Sequence, residues 1–385
     1  MNAITFRTAP RIISRIGGLA DLGTIMAELG VKRPLIVTDA GIVKCGIAAK
    51  AMDSLKAAGL EPILYDAVQA DPPIAMVKQA ADFAHDTQAD GIVGLGGGSS
   101  LDTAKVVALM GKCRQPIEDL FGVDMTRDPR LPLVQVPTTA GTGSEVTWVS
   151  VITNEANEKK VIYTPQLLPD VALLDAELTV GMPPKVTAAT ALDAMVHAIE
   201  GYTSRTKKNT IADSFARKAL ELLAANLPKV LADGHDLTAR AAMLEGAMLG
   251  GIAFVNSSVA AIHGLAYPLG ARFHVPHGHS NALVMGPILR FNLPAAETLY
   301  AELAPSVLPG RSYSSRAEAA LAFVETLEAM AGCGGLETRL GDLGITDADI
   351  PPMAEEVVTQ IQRLIAPNPR DMSFDDVCGL YRSIL

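Results

Sequence analysis

Asp193 and His197, in the stretch ALDAMVH, are four residues apart. On a helix that spacing puts both side chains on one face, one turn apart. A carboxylate and an imidazole held in this way make half of a divalent metal site. Candidates for the other half lie downstream. Of the seven histidines, His263, His274, His277 and His279 fall close together, whereas His85 and His235 sit in polar surroundings that suit a surface. His263 ends a long apolar segment and is expected to be buried, where an imidazole needs a hydrogen bond or a metal. His277 lies in PHGHS, a turn set by Pro276 and Gly278. Asp193, His197, His263 and His277 together offer one carboxylate and three imidazoles. That set suits Fe(II) or Zn(II) and leaves room for a substrate oxygen. His274 and His279 remain as alternates or as groups that orient a ligand.

A second kind of chemistry is suggested upstream. Gly94–Ser100 reads GLGGGSS, after an apolar strand and before a helix. Glycines let a backbone approach a phosphate closely, and a helix N-terminus presents free N–H groups and a positive dipole end. Ser99 or Ser100 could cap that helix. The match to GxGxxG is incomplete because Ser99 stands where the last glycine belongs, and a tight strand–helix turn explains the stretch equally well on local grounds. No GxxxxGK[ST] is present, which argues against a P-loop NTPase. Asp39 ends the first clear strand. It could accept hydrogen bonds from an adenosine ribose and repel a 2′-phosphate, or simply begin the turn DAG. Pro137–Glu145, PTTAGTGSE, also follows a strand, and its Thr138, Thr139, Thr142 and Ser144 hydroxyls could bond a phosphate or a nicotinamide amide.

The elements that must position these groups change character along the chain. Short β-branched runs at 34–38, 62–65, 91–95 and 131–136 alternate with helical patterns at 47–58, 74–87 and 102–110, which predicts βαβ units and a mostly parallel sheet. Runs at 148–153 and 161–163 suggest a further strand pair around the polar turn NEANEKK, and 167–174 adds a short apolar run. GMPP at 181–184 is the boundary signal. Beyond it helical patterns dominate, at 185–202, 212–231, 238–262, 295–303, 316–331, 347–365 and 373–384, with a Pro-, Gly- and Ser-rich loop at 305–315. Two domains are therefore expected, α/β over 1–182 and all-α over 183–385.

Composition agrees with a protein of two sizeable cores. The 385 residues are 49% hydrophobic and only 19% charged, and the scarcity of aromatics (4%) leaves the cores to Ala, Leu, Val, Ile and Met. A net charge of −10 without a Lys/Arg cluster disfavours nucleic acid or an anionic membrane as partner. The four cysteines show no CxxC spacing and fit a reducing compartment. The N-terminal stretch has arginines and no apolar signal core, and no run of transmembrane length is evident, the nearest being 246–262. A soluble, cytoplasmic protein is expected.

Five motifs in order, GGGSSLDTAK (96–105), PTTAGTGSEVT (137–147), LDAMVHAIEGY (192–202), HGLAYPLGA (263–271) and PHGHSNA (276–282), resemble the iron-containing, group III alcohol dehydrogenases. The resemblance runs nearly end to end, including 368–370. It implies an N-terminal dinucleotide-binding α/β domain, a helical C-terminal domain and an active site in the cleft between them. It makes Asp193, His197, His263 and His277 the metal ligands, and Gly96, Gly97, Gly98 and Ser99 the pyrophosphate loop. Asp39 becomes the ribose acid, with Asp102, Thr138, Thr139, Thr142, Ser144 and Lys160 completing the cofactor set. It also implies NAD, a divalent metal and a homodimer.

One departure stands out. Many members carry a second histidine in HxxxH after the third ligand, and here that position is Tyr267. Tyr267 is a candidate proton carrier if its hydroxyl is tuned from a reference pKa near 10, or it fills space. The implied reaction is NAD-linked oxidation of a small alcohol, diol or hydroxy acid, with pocket side chains from 148–151, Phe254 and 263–279. Two other readings are a dehydroquinate synthase-like lyase that recycles NAD, and a non-redox metal hydrolase or nucleotide-binding regulator.

Overall fold

The computed structural model describes residues 4–155 and 158–385, which form two compact units. One is Thr8–Gly181. The other is Met182–Leu385, joined by the described residues up to Arg7. The N-terminal residues thus go with the helices and not with the α/β unit expected for everything before 183. The reason is a reciprocal pair of bonds: Arg7 N donates to Asn256 Oδ1 at 2.8 Å, and Asn256 Nδ2 donates back to Arg7 O at 2.8 Å.

The α/β unit runs β1 (Arg11–Ser14), α1 (Leu22–Glu28), β2 (Pro34–Val37), α2 (Ala40–Lys44), α3 (Ile47–Ala57), β3 (Ile63–Tyr65), α4 (Ile74–Asp86), β4 (Gly91–Gly96), α5 (Gly98–Met110), β5 (Gly122–Val123), β6 (Leu133–Pro137), β7 (Val149–Thr153), β8 (Lys159–Tyr163) and β9 (Val171–Leu174). Six strands make one parallel sheet in the order β1-β9-β6-β4-β2-β3. Alternate residues along a strand face opposite sides. Leu35, Ile92 and Leu133 therefore pack on one face with Val77, Ala80 and Val107. Ile36, Val93, Val134 and Val136 pack on the other with Ile25, Ala51 and Leu55. Both faces are apolar, as a parallel sheet covered by helices on both sides requires. β7 and β8 form the expected antiparallel pair, but in a separate three-stranded sheet with β5. The tip of their turn, at 156–157, lies outside the described residues.

The sheet order locates a ligand site. From β2 the chain crosses to β3 on one side and then to β4 on the other. Open parallel sheets bind ligands at such a reversal, beyond the carboxyl ends of the strands. Here that place is bounded by Asp39 after β2 and the glycines that end β4.

The helical unit comprises α6 (Pro184–Thr203), α7 (Thr210–Ala232), α8 (Leu237–Val255), α9 (Ala261–Phe273), α10 (His277–Val307), α11 (Arg316–Met330), α12 (Ile350–Gln360), α13 (Gln362–Ile365) and α14 (Phe374–Arg382). α6 starts at a proline, which needs no donor at that position, and is buried around almost its whole circumference. Asn209 caps α7 and Asp236 caps α8, each accepting from the backbone N–H three residues on.

Three expectations fail here. The apolar run at 238–262 is not one helix ending at His263; α8 stops at Val255, where the Asn256 side chain is taken up by Arg7 and by Ile252 O. His263 instead opens α9. The region from His277 is not a turn followed by a short helix but a 31-residue helix that carries Pro287, Pro294 and Pro305 inside it. Finally, where no run of transmembrane length was expected and 246–262 was the nearest, α8 (Leu237–Val255) is by length and composition apolar enough to cross a membrane, though 78% of its most apolar window is buried in the protein.

Candidate metal and cofactor sites

α6 delivers three polar side chains along one face, at positions 193, 197 and 200, and all three are buried. α9 contributes His263 from its first turn, and α10 contributes His277 as its first residue. Ligand atoms of Asp193, His263 and His277 lie within 4.8 Å of one another. Asp193 Oδ1 is 3.5 Å from His277 Nε2, 3.9 Å from His263 Nε2 and 3.9 Å from His197 Nε2. Two ligands bonded to one ion at about 2.1 Å lie roughly 3–4 Å apart, so these spacings suit a shared divalent cation. The His197 ring is stacked between Phe254, at 4.3 Å between centroids, and His263, at 4.9 Å.

The electrostatics match that donor set. Burial by itself would push the Asp193 carboxyl up, but the imidazoles of His197, His277 and His263 and the Asn281 amide together hold it below the ordinary carboxylate value. Asn281 Nδ2 donates to Asp193 Oδ1 at 2.7 Å and stands 3.4 Å from both His263 Nε2 and His277 Nε2. An amide nitrogen only donates. It has two hydrogens, so with one on Asp193 the other can meet a lone pair on the Nε2 of one of the two imidazoles. The buried residues fit a divalent ion of the Fe(II) or Zn(II) kind. His277 is 44% exposed, so the cluster has one open side.

Glycines make these close approaches possible. A Cβ on Gly278 would run into the Ala189 carbonyl oxygen and come within 2.8 Å of its carbon and 3.3 Å of Asp193 Cβ. Gly278 is thus a contact residue inside α10, and not the turn glycine expected from PHGHS. A Cβ on Gly250 would lie 2.9 Å from Ala194 O, so α8 crosses α6 almost backbone to backbone.

The other histidines are accounted for. His279 is buried, with Nε2 2.8 Å from the Glu337 carbonyl, and anchors that segment. His274 ends α9 in a left-handed conformation (φ 56°) and is exposed. His85 and His235 are exposed, as expected. Tyr267, one turn after His263 on α9, has its ring 6.2 Å from that of His277. The residue that sequence reasoning passed over is Glu200. Its signal was a second carboxylate at helical spacing from Asp193 and His197.

In the α/β unit a cavity of about 420 Å³ is lined by Asp39, Ala40, Gly41, Val68, Gln69, Ala70, Gly97, Gly98, Ser99 and Ser100. α5 begins at Gly98 with Gly97 as its cap, so the cap has no side chain to bond the first N–H groups. Ser99 and Ser100 lie inside the helix, so neither caps it as anticipated. Free helix-start N–H groups on a cavity wall suit a phosphate. Gly96 has φ 144°, and a Cβ there would sit 2.7 Å from Ser100 Oγ. Asp39 has the turn role offered for it, and its second oxygen lies on the cavity wall. Its Oδ1 caps α2 by accepting from Gly41 N (2.8 Å) and Ile42 N (3.1 Å), while Oδ2 faces Ser100 Oγ at 3.3 Å on the cavity wall.

The second loop lies alongside the first. Thr138 N donates to Gly96 O at 3.0 Å, and Cβ atoms placed on Gly97 and Gly98 would meet Thr139 and Thr142 at 3.5 and 2.8 Å. Asp102 and Ser144 are not on the cavity wall. Ser144 Oγ donates to Asp102 Oδ1 at 2.6 Å, Val151 N donates to Asp102 Oδ2 at 2.9 Å, and the fully buried Lys105 ammonium donates to Ser144 Oγ at 2.8 Å. Burial lowers the Lys105 pKa, its acidic neighbours only partly offsetting this. The Glu145 carboxyl beside it is pushed up to about 7 by burial. Lys160 is likewise off that wall and pairs with Glu158 at 2.9 Å.

Comparison with known proteins agrees with both units. Residues 9–176 match the family model described as iron-containing alcohol dehydrogenase, and residues 187–385 match that of the Fe-containing alcohol dehydrogenase family, C-terminal. The chain is 36% identical over 370 residues to long-chain-alcohol dehydrogenase 1 of Geobacillus thermodenitrificans, covering 95% of this chain and 93% of that one. It is 34% identical over 370 residues to lactaldehyde reductase of Escherichia coli, covering 95% and 96%. The solved alcohol dehydrogenase from Oenococcus oeni superposes with a TM-score of 0.95 at 32% identity over the whole of both chains. With a metal-ligand cluster in one unit and a dinucleotide-type cavity in the other, the chain belongs to the iron-containing (group III) alcohol dehydrogenase family and is a metal- and NAD-dependent oxidoreductase of alcohols and aldehydes.

Proposed function

We propose that Asp193, His197, His263 and His277 hold one divalent ion, Fe(II) before Zn(II), and that the substrate is a small primary alcohol, a diol or a hydroxy acid. When bound, the ion supplies Lewis acidity toward the substrate oxygen and NAD supplies the hydride acceptor. The observation that carries the reading is the convergence of three ligand atoms within 4.8 Å on a buried carboxylate. His277, the most exposed of the four side chains, marks the side on which substrate enters. Phe254, stacked on His197, makes that part of the pocket apolar and excludes water. Tyr267 borders the same side and is proposed to shape it through its ring.

For the cofactor, Gly96, Gly97, Gly98 and Ser99 cradle the pyrophosphate and Asp39 takes the ribose hydroxyls, which favours NAD over NADP by repelling a 2′-phosphate. Thr138, Thr139 and Thr142 complete the contact from the neighbouring loop. Asp102 and Ser144 serve by fixing that loop, since their oxygens are already bonded within the unit. Lys160 is proposed to reach the cofactor from β8. A homodimer is the proposed assembly, tested by light scattering on the eluted protein, and the cytoplasm the proposed location, supported by cysteines that form no disulfide among the described residues.

The relatives are named for substrates as different as a long-chain alcohol and lactaldehyde, so the test is a panel. Protein loaded anaerobically with Fe(II) is given NAD with short and long alcohols, diols and hydroxy acids, and NADH with the matching aldehydes. Absorbance of the reduced cofactor should change for a small alcohol or diol, and more with NAD than with NADP. No change with any member would refute the reading.

A further inference from the structure

Glu200 is only 3% exposed and sits on the last turn of α6, on the same face as Asp193 and His197. Its bonds all run to one place. Helix α9 begins at Ala261, and Ala260 at its N-cap supplies no side-chain cap, leaving first-turn N–H groups that need a partner. Glu200 supplies it from another helix. Oε2 accepts from Ala260 N at 2.7 Å, Oε1 accepts from Ile262 N at 2.6 Å, and Oε2 lies 2.6 Å from His263 Nδ1. A carboxylate that accepts main-chain N–H groups on both oxygens offers His263 an acceptor and nothing else. Nδ1 is therefore the protonated nitrogen of that ring, and the lone pair is on Nε2. The Asn281 amide nitrogen, a donor, stands 3.4 Å from His263 Nε2, a distance compatible with a lone pair there. Nε2 is also the atom turned toward Asp193 Oδ1, at 3.9 Å.

We propose that Glu200 is a positioning residue that caps α9, locks His263 in its Nδ1–H tautomer and so sets the metal affinity of the site. It rests on the reading of His263 as a ligand. The carboxylate that caps the helix start with two bonds also aims the imidazole with a third, so the capping and the ligand geometry cannot be separated by a change at Glu200. Carboxylates that orient metal-bound histidines in this way are typically worth about 10–100-fold in affinity. Glu200→Gln keeps the shape but can turn an amide N–H toward Nδ1, which would move the proton to Nε2, the atom that must bind.

The test has one arm that needs no variant at Glu200. Long-range nitrogen–proton correlation spectra of histidine-labelled protein, before any metal is added, read each ring's tautomer, with His263 assigned by its loss in His263→Ala. An Nδ1–H form supports the proposal and an Nε2–H form overturns it. In the second arm Zn(II) affinity is measured by chelator competition, with circular dichroism confirming the fold. Glu200→Gln should raise the dissociation constant about 10–100-fold, and Glu200→Asp should recover part of the loss. Binding by a folded Glu200→Gln protein within about twofold of the parent, while His263→Ala binds poorly, would overturn the role of Glu200 alone. Undiminished binding by His263→Ala would remove the ligand reading beneath it.

Discussion

Replacing Gly278 with alanine adds one methyl group at the point where α10 meets α6. That Cβ would collide with the Ala189 carbonyl oxygen and sit 2.8 Å from its carbon, and both atoms belong to helix backbone. Carbon atoms pack at about 3.5–4.0 Å, so the start of α10 must retreat by about 1 Å. His277 is the residue immediately before it, and its Nε2 is 3.5 Å from Asp193 Oδ1. A retreat of that size takes His277 beyond the tolerance of about 0.2 Å that metal–ligand bonds allow. Overpacking of this kind costs about 1–3 kcal/mol of stability. The variant should therefore fold with a lowered melting temperature and bind metal at least about tenfold more weakly, assuming one ligand is lost or strained. The assays are thermal unfolding of metal-free protein and chelator competition. Gly379 in α14 is the control, because a Cβ there would meet nothing within 4 Å. Gly379→Ala should leave metal binding alone and gain up to about 1 kcal/mol. A Gly278→Ala protein that matched the parent in both assays would refute the close-contact argument.

Three further changes probe other parts of the molecule. Gly96→Ala imposes a side chain at φ 144° and 2.7 Å from Ser100 Oγ; the KM for NAD should rise about tenfold or more while metal content stays the same, and an unchanged KM would remove the loop from the cofactor site. Glu145 binds its proton more tightly in the folded chain, at about 7 against 4.5. From about pH 4.5 to pH 7 the unfolded chain therefore releases the proton first, and stability falls as pH rises, by about 3 kcal/mol in all. Glu145→Gln should flatten that fall and be the more stable protein at pH 8, and parallel denaturation profiles for the two would count against it. Tyr267→Phe keeps the ring beside His277 and should hold kcat within about threefold, whereas a loss of the size usual for general acid–base groups, about a hundredfold, would make the hydroxyl the proton carrier.

Four of the six sheet strands were readable because β2, β3, β4 and β6 are short apolar runs that stop at aspartate, glycine or proline, and β9 lies within the apolar run at 167–174; β1, whose only apolar residues are Ile12 and Ile13, was not anticipated. The Asp193–His197 pair was readable for a similar reason, since helical spacing is local. What escaped depends on contacts between distant segments. The end of α8 is set by bonds between Asn256 and Arg7, about 250 residues apart in the chain. The partners of Glu200 are the amides at 260 and 262 and the ring of His263, and nothing near position 200 announces them. Gly278 read as a turn former because glycine beside proline suggests one; its actual use is to admit the Ala189 carbonyl. The long helix α10 was hidden by three internal prolines, whose lost hydrogen bonds are outweighed by burial of Leu283, Ile288, Leu289 and Leu303. The lyase and hydrolase readings open at the sequence level give way to the family match, which spans both units.

The central claim, a metal ion held by α6, α9 and α10, is tested most directly by counting metal per chain in anaerobically purified protein and in Asp193→Ala, His197→Ala, His263→Ala and His277→Ala. The account predicts about one ion per parent chain and a large loss in every variant that remains folded. Full metal content in folded His263→Ala and His277→Ala proteins would contradict it.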